Sequence, residues 1–493
     1  MCFVLRARWG VGYNRAPATR RCRMLFAASL RRQPASTAGA RASRERVRVR
    51  DESVQLEHAL DSLRPSQRRE ALRRLLDAVG RGEIALPEAG DAVNLHCHTF
   101  FSYNVYGYSP TKVAWLARKG GLAAAGIVDF DVLDGLAEFH EAGREVGLKA
   151  CVGIETRVFL PEYADRVMNS PGEPGICYHV GAGFPTADLS APLMEVLAGL
   201  QATSAERNRQ LVGRVNAHLR PVRLEYERDV LPLTPSGNAT ERHICLAYAR
   251  KARAAFPSEE ELAGFWSERL GVEAGGLDVP EGIALQHAIR AGLMKEGGPG
   301  YVQPEAGSFP RMEAMNRFIV EAGGIAAYAW LDGTSEGEDD IEPLIATAMS
   351  SGADAINIVP DRNYTPGKRD VRLDNLERVV GLAEELGLPV IVGTEMNSPG
   401  QKFVDDFESD ELAPLLPVFL KGAHIVTAHT ALERAGRLGY ASGWARRSFP
   451  DRKTRSEFYE SVGRALQPSG ELAGVEESTT PGAVLNAAGR TSC

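Results

Sequence analysis

Short apolar runs alternate with amphipathic stretches along most of this 493-residue chain. Leu56, Leu60, Leu63, Leu72, Leu75, Leu76 and Val79 fall largely on helical spacings, with Pro65 placed to break the segment and open a second helix. From Ala92 the pattern predicts a strand through His96, a helix over 110–118, a strand ending at Asp129, a helix over 133–146 and a strand ending at Glu155. Such alternation predicts parallel strands joined by right-handed crossovers. Between Phe184 and Pro310 the pattern changes to amphipathic helices: Leu193, Val196, Leu197 and Leu200, then Leu211, Val215 and Leu219, recur at helical intervals. Strands resume over 325–330, 355–359 and 390–395, with helices over 341–349 and 373–386 between them. The run Ala423 to His429 fits a strand or a helix equally. About seven strands in all are compatible with an incomplete or distorted βα barrel carrying a helical insertion.

The polar residues that end these runs share one chemical character. Asn94-Leu95-His96-Cys97-His98-Thr99 closes the first run, and i, i+2 spacing on a strand sends both imidazoles into one space. Asp129 and Asp131 follow Val128, Glu155 follows Ile154, His179 follows Tyr178, and Glu395 and Asn397 follow Gly393. Imidazole and carboxylate are ligands for divalent metals, and functional residues of parallel βα folds gather at the carboxyl ends of strands. Separation in sequence is therefore no obstacle to one shared site.

These residues resemble the PHP family, the polymerase and histidinol phosphatase metal-dependent phosphoesterases. Its His-x-His-Thr-x-x-Ser motif is matched by His96 to Ser102, its Thr-Asp-His motif by Val128-Asp129-Phe130, and its Gly-Ile-Glu strand by Gly153-Ile154-Glu155. Tyr178-His179-Val180-Gly181 is similar to the next histidine motif, Gly323 to Trp330 resembles the strand ending in Ala-His-Pro, and Gly393 to Asn397 sits where the family has Asp-x-His. The resemblance implies a distorted seven-stranded (β/α) TIM-like barrel of PHP type, with a large α-helical insertion and an N-terminal helical extension. It also implies one or two divalent ions (Zn, Mn, Fe or Mg) held by His96, His98, Glu155, His179 and Glu395. Phe130, Trp330 and Asn397 stand where the family places imidazoles; Phe and Trp cannot ligate a metal, and Asn offers only an amide oxygen. A three-metal cluster is not expected.

Glu155 is the expected bridging ligand, since a carboxylate carries two oxygens and a charge; an ion pair with Arg157 is its plainer role. Asp129 is expected as general acid or base, or as a partner that holds a ligand in place, while a helix cap is the alternative for Asp129 or Asp131. A phosphate substrate needs cations, and Arg362 and Lys368 follow a strand end on the ligand-bearing side. Tyr103 would line the mouth or pack on its loop, and Asn397 would bind substrate or cap the loop beginning at Ser398.

Composition narrows the class. A hydrophobic content of 44% and a charged content of 25% are ordinary for a globular protein, and a net charge of −7 gives no electrostatic case for nucleic acid. No apolar stretch approaches the ~20 residues that span a bilayer, so no membrane partner is expected. Seven cysteines lacking C-x-x-C spacing argue for a reducing compartment, and the cytoplasm is the expected location. Residues 1–50 are rich in arginine, and no Asp or Glu occurs before Glu45. This segment resembles an organellar transit peptide or an upstream extension with the start at Met24 or later, the second favoured by the excess of arginine over lysine. The expected organisation is that leader, a helical extension over 51–90, barrel over 91–186, helical insertion over 187–310, barrel over 311–440 and a tail over 441–493. The expected function is hydrolysis of a small-molecule phosphoester by metal-activated water. The alternatives are a catalytically degenerate ligand- or partner-binding protein and a metal-dependent hydrolase of a non-phosphate bond.

Overall fold

The computed structural model describes residues 51–303, 306–468, 472 and 474–490; the arginine-rich leader lies outside them. Among the described residues seven strands form one sheet in sequence order: β1 (Val93–Cys97), β2 (Ala124–Phe130), β3 (Lys149–Phe159), β4 (Ile176–Ala182), β5 (Ile325–Trp330), β6 (Ala355–Ile358) and β7 (Val390–Val392). The sheet curls into a nearly closed, distorted TIM-like barrel. Closure runs through the segment after β7, where Glu395 N donates to His96 O at 2.8 Å and His98 N donates to Glu395 O at 2.7 Å. Gly393 makes this approach: a Cβ there would sit 2.5 Å from Asn94 Oδ1 and 2.6 Å from His96 Cβ.

The crossovers carry their own start and stop signals. α1 (Pro65–Gly80) opens at Pro65, as the pattern predicts. Ser109 caps α2 (Pro110–Lys119) by accepting from Lys112 N, and Gly147 ends α3 (Leu136–Val146) in the left-handed conformation.

One strand departs from the parallel expectation. β4 runs antiparallel to both β3 and β5, whereas the other strand pairs are parallel. Its connection to β3 is a loop with one 3₁₀ turn, Pro161–Tyr163, rather than a crossover helix, and such a return reverses the strand. Its carboxyl end therefore lies at the opposite end of the barrel from the other carboxyl ends.

Among the described residues four α-helices lie between β4 and the helix that leads into β5: α4 (Ala191–His218), α5 (Glu241–Ala255), α6 (Glu259–Leu270) and α7 (Ile283–Leu293). They bury a core of their own around Val215, Tyr248, Trp266 and Ile289, separate from the barrel core. α8 (Met312–Glu321) then packs against β4 and β5. The ambiguous run at Ala423 is helical, part of α9 (Leu416–Gly436). By length and composition the helix over 413–436 could cross a membrane, contrary to the expectation of no such stretch, but 61% of its apolar window is buried in the fold. A helix apolar all round is a core helix when protein surrounds it.

Candidate metal centre

β1 and β3 bring three ligand atoms together. His98 Nε2 lies 3.0 Å and His96 Nε2 3.4 Å from Glu155 Oε2, and no pair among the three is further apart than 4.8 Å. All three side chains are buried, and none of these atoms has a hydrogen-bond partner of acceptable geometry.

The hydrogen bonds behind the imidazoles fix what they present. Ser102 Oγ donates to Asp129 Oδ1 at 2.5 Å, so its 3.0 Å contact with His98 Nδ1 must be a bond donated by the ring. His98 is therefore protonated at Nδ1 and turns a lone pair at Nε2 toward Glu155. The same logic applies to His96: Asn357 Nδ2 donates to Ile391 O at 3.2 Å, leaving Asn357 Oδ1 to accept from His96 Nδ1 at 3.0 Å. Two imidazole lone pairs and a carboxylate oxygen thus converge without a donor among them. Buried acceptors so arranged repel one another unless a positive charge sits between them. Burial alone would lower the His96 imidazole, but the Glu155 carboxylate beside it raises it; burial would raise Glu155, but His96 and His98 hold it below its ordinary value. Two His and one Glu are a known donor set for Zn²⁺, and the residues fit a divalent cation.

The remaining predicted residues divide. Glu395 stands at the rim with its Oε2 3.0 Å from Arg362 Nη2 and 3.3 Å from Gln401 Nε2. Burial would raise Glu395, but Arg362, together with His96 and His98, holds it below its ordinary value, so a guanidinium already partners this carboxylate. Asp129 accepts three hydrogen bonds, from Thr99 N at 2.8 Å, Thr99 Oγ1 at 2.6 Å and Ser102 Oγ. Through Ser102 it braces His98, the arrangement expected of a partner that holds a ligand in place. Asp131 accepts from Thr156 Oγ1 at 2.7 Å.

His179 is not brought to the cluster. In the antiparallel register Val180 lies opposite Glu155 and His179 opposite Thr156, so His179 occupies the other face of the sheet. There it meets Asn316 of α8 at 2.5 Å, and burial lowers its imidazole to about 4. On the Glu155 face β4 presents Val180, opposite Glu155, and Tyr178, opposite Arg157. Phe130 stacks on His98 at 4.6 Å between ring centroids, occupying with hydrocarbon the space beside that ligand.

Of the expected substrate contacts, Arg362 is at the rim. Tyr103 is half-buried and packs edge-on against His243 of α5 at 5.4 Å, which ties the mouth loop to the insertion. Asn397 accepts from Ser398 Oγ at 3.1 Å, and Ser398 in turn accepts from Arg242 of the insertion at 3.0 Å. Lys368 is exposed in a turn, and among the described residues no contact links its side chain to the centre. Arg157 pairs with Glu173 at 2.6 Å rather than with Glu155.

Sequence reasoning missed two residues that orient the ligands. Ser102 stood in the quoted motif without a role. Asn357 had a visible signal, as the one polar residue in the apolar run Ala355 to Ile358.

No family model matches the chain, and no curated protein matches it. Among solved structures it is similar to an amidohydrolase from Chromobacterium violaceum, determined with bound sulfate and no metal, at 20% identity and a TM-score of 0.44 over 64% of this chain and 91% of that one. It is also similar to a protein from Bifidobacterium adolescentis, named by inference as a metal-dependent phosphoesterase, at 18% identity and a TM-score of 0.45 over 68% of this chain and 98% of that one.

Proposed function

We propose that the protein is a metal-dependent hydrolase with a single-cation centre at His96, His98 and Glu155, and that its substrate is a phosphoester. The observation that carries this reading is the convergence of three buried acceptor atoms without a donor. Bound there, a divalent cation supplies Lewis acidity, which acidifies water and draws charge from a phosphoryl oxygen. The chain's own residues do the rest. Ser102 and Asn357 hold the imidazole protons at Nδ1, and Asp129 fixes Ser102. Arg362 brings a guanidinium to the rim, 42% exposed and held by Glu395, where it can meet an anionic substrate. Its charge is reinforced chiefly by Glu395 and also by Glu155.

The test is elemental analysis of the purified protein together with hydrolysis of a phosphoester panel by the wild type, His98→Ala and Glu155→Gln. About one equivalent of metal and turnover that both substitutions abolish are expected. Phe130 against His98 favours the degenerate, ligand-binding reading as the second one. A protein that takes up no metal and turns over no ester would replace the first reading with it.

A further inference from the structure

One polar side chain stands over the candidate centre with its hydroxyl unspent. Tyr178 is the one residue of β4 that is not fully buried. Because β4 runs antiparallel to β3, Tyr178, opposite Arg157, lies two residues nearer the mouth than Val180, which is opposite Glu155. At strand rise that step is roughly 7 Å on the same face. Phe130 links this level to the ligands: it pairs with Glu155 across β2 and β3, stacks on His98, and holds its ring centroid 6.3 Å from that of Tyr178. The phenol is within electrostatic reach of Glu155, Arg157 and Arg362. Its backbone is tied down, Tyr178 N donating to Asn169 Oδ1 at 2.8 Å, yet among the described residues no hydrogen bond engages its hydroxyl. The guanidiniums nearby are engaged, Arg157 by Glu173 and Arg362 by Glu395.

We propose that Tyr178 is a further catalytic residue, its hydroxyl donating a hydrogen bond to the oxygen of the departing alcohol. An ester whose phosphoryl group is held at His96, His98 and Glu155 points its alcohol out through the mouth, on the side where the phenol stands. A phenol keeps its proton at neutral pH, and burial raises this one further, so the group is a donor. Charge gathers on the departing oxygen as its bond to phosphorus breaks, and a donor already fixed beside it stabilises that state more than the bound ester. The assignment rests on the reading of His96, His98 and Glu155 as the reacting centre.

The test compares two esters on the full chain loaded with metal. Tyr178→Phe removes only the hydroxyl, so metal content and the urea midpoint should match the wild type. Its kcat/KM should fall about 100-fold for glycerol phosphate, whose alkoxide needs the donor, and about threefold or less for p-nitrophenyl phosphate, whose leaving group departs unaided. Tyr178→Leu, which also lacks the donor, should show the same selective loss and keeps the comparison decisive if Tyr178→Phe does not fold. Equal losses for the two esters, or no loss, overturn the role of Tyr178 and leave the hydrolase reading standing. Loss of metal together with activity also overturns it, since Tyr178 would then support the centre rather than touch the substrate. Metal-loaded wild type that turns over neither ester overturns both.

Discussion

At the scale of single residues, the centre depends on protons held away from it. Because Ser102 sets the His98 tautomer, Ser102→Ala should lower metal affinity by about 10- to 100-fold with the ligands intact, measured by chelator competition. His179→Ala should leave metal content unchanged, since His179 faces Asn316 on the other side of the sheet; it should cost about 1–3 kcal/mol in urea unfolding by stranding the Asn316 carbonyl. Loss of metal in His179→Ala would contradict this placement. His96, His98 and Glu155 were legible from residue type and spacing. His179 was misplaced because spacing along a strand does not reveal strand direction, and a shift of one residue exchanges the faces.

At the scale of elements, the joint between β7 and β1 deserves a direct probe. Gly393→Ala drives a methyl into the His96 backbone, so it should destabilise the fold by about 1–3 kcal/mol and loosen the metal centre together with it. Denaturant melts and metal content should therefore fall in the same variant. Just beyond the joint, Glu395 and Met396 both hold φ near +60°, a conformation that non-glycine residues seldom adopt and that is found at functional rims. Helices and most strands were legible because periodicity and caps are local. The helix through Ala423 was not, since a segment apolar on every side lacks the polar stripe that distinguishes a helix from a strand.

At the scale of the whole molecule, protons and cations act on one equilibrium. Burial holds His140 at about 3 and His179, His243, His424 and His429 at about 4, so between pH 6.5 and 4 the unfolded chain binds more protons and stability falls as pH falls. His96, which is raised, and the carboxyls Asp61 and Asp405, pushed up by burial to about 6 and about 8, act oppositely: their contributions are full below their unfolded values and fade as pH rises through the folded ones, but the five lowered imidazoles outnumber them. Urea midpoints of chelator-treated protein should therefore drop from pH 7 to pH 5; a flat or rising profile would contradict the burial of these rings. A divalent ion at 100 times its Kd should add about 2.7 kcal/mol at pH 7, and less in acid where protons compete for the imidazoles. By itself the sequence determined the element order, the helical stretch before β5 and, of the five ligands it proposed, the three that the fold brings together, His96, His98 and Glu155, because periodicity and residue chemistry are written locally. Only the tertiary structure decided that β4 runs backward and that Glu395 pairs with Arg362. Those outcomes depend on which distant groups meet once the barrel closes and water is excluded.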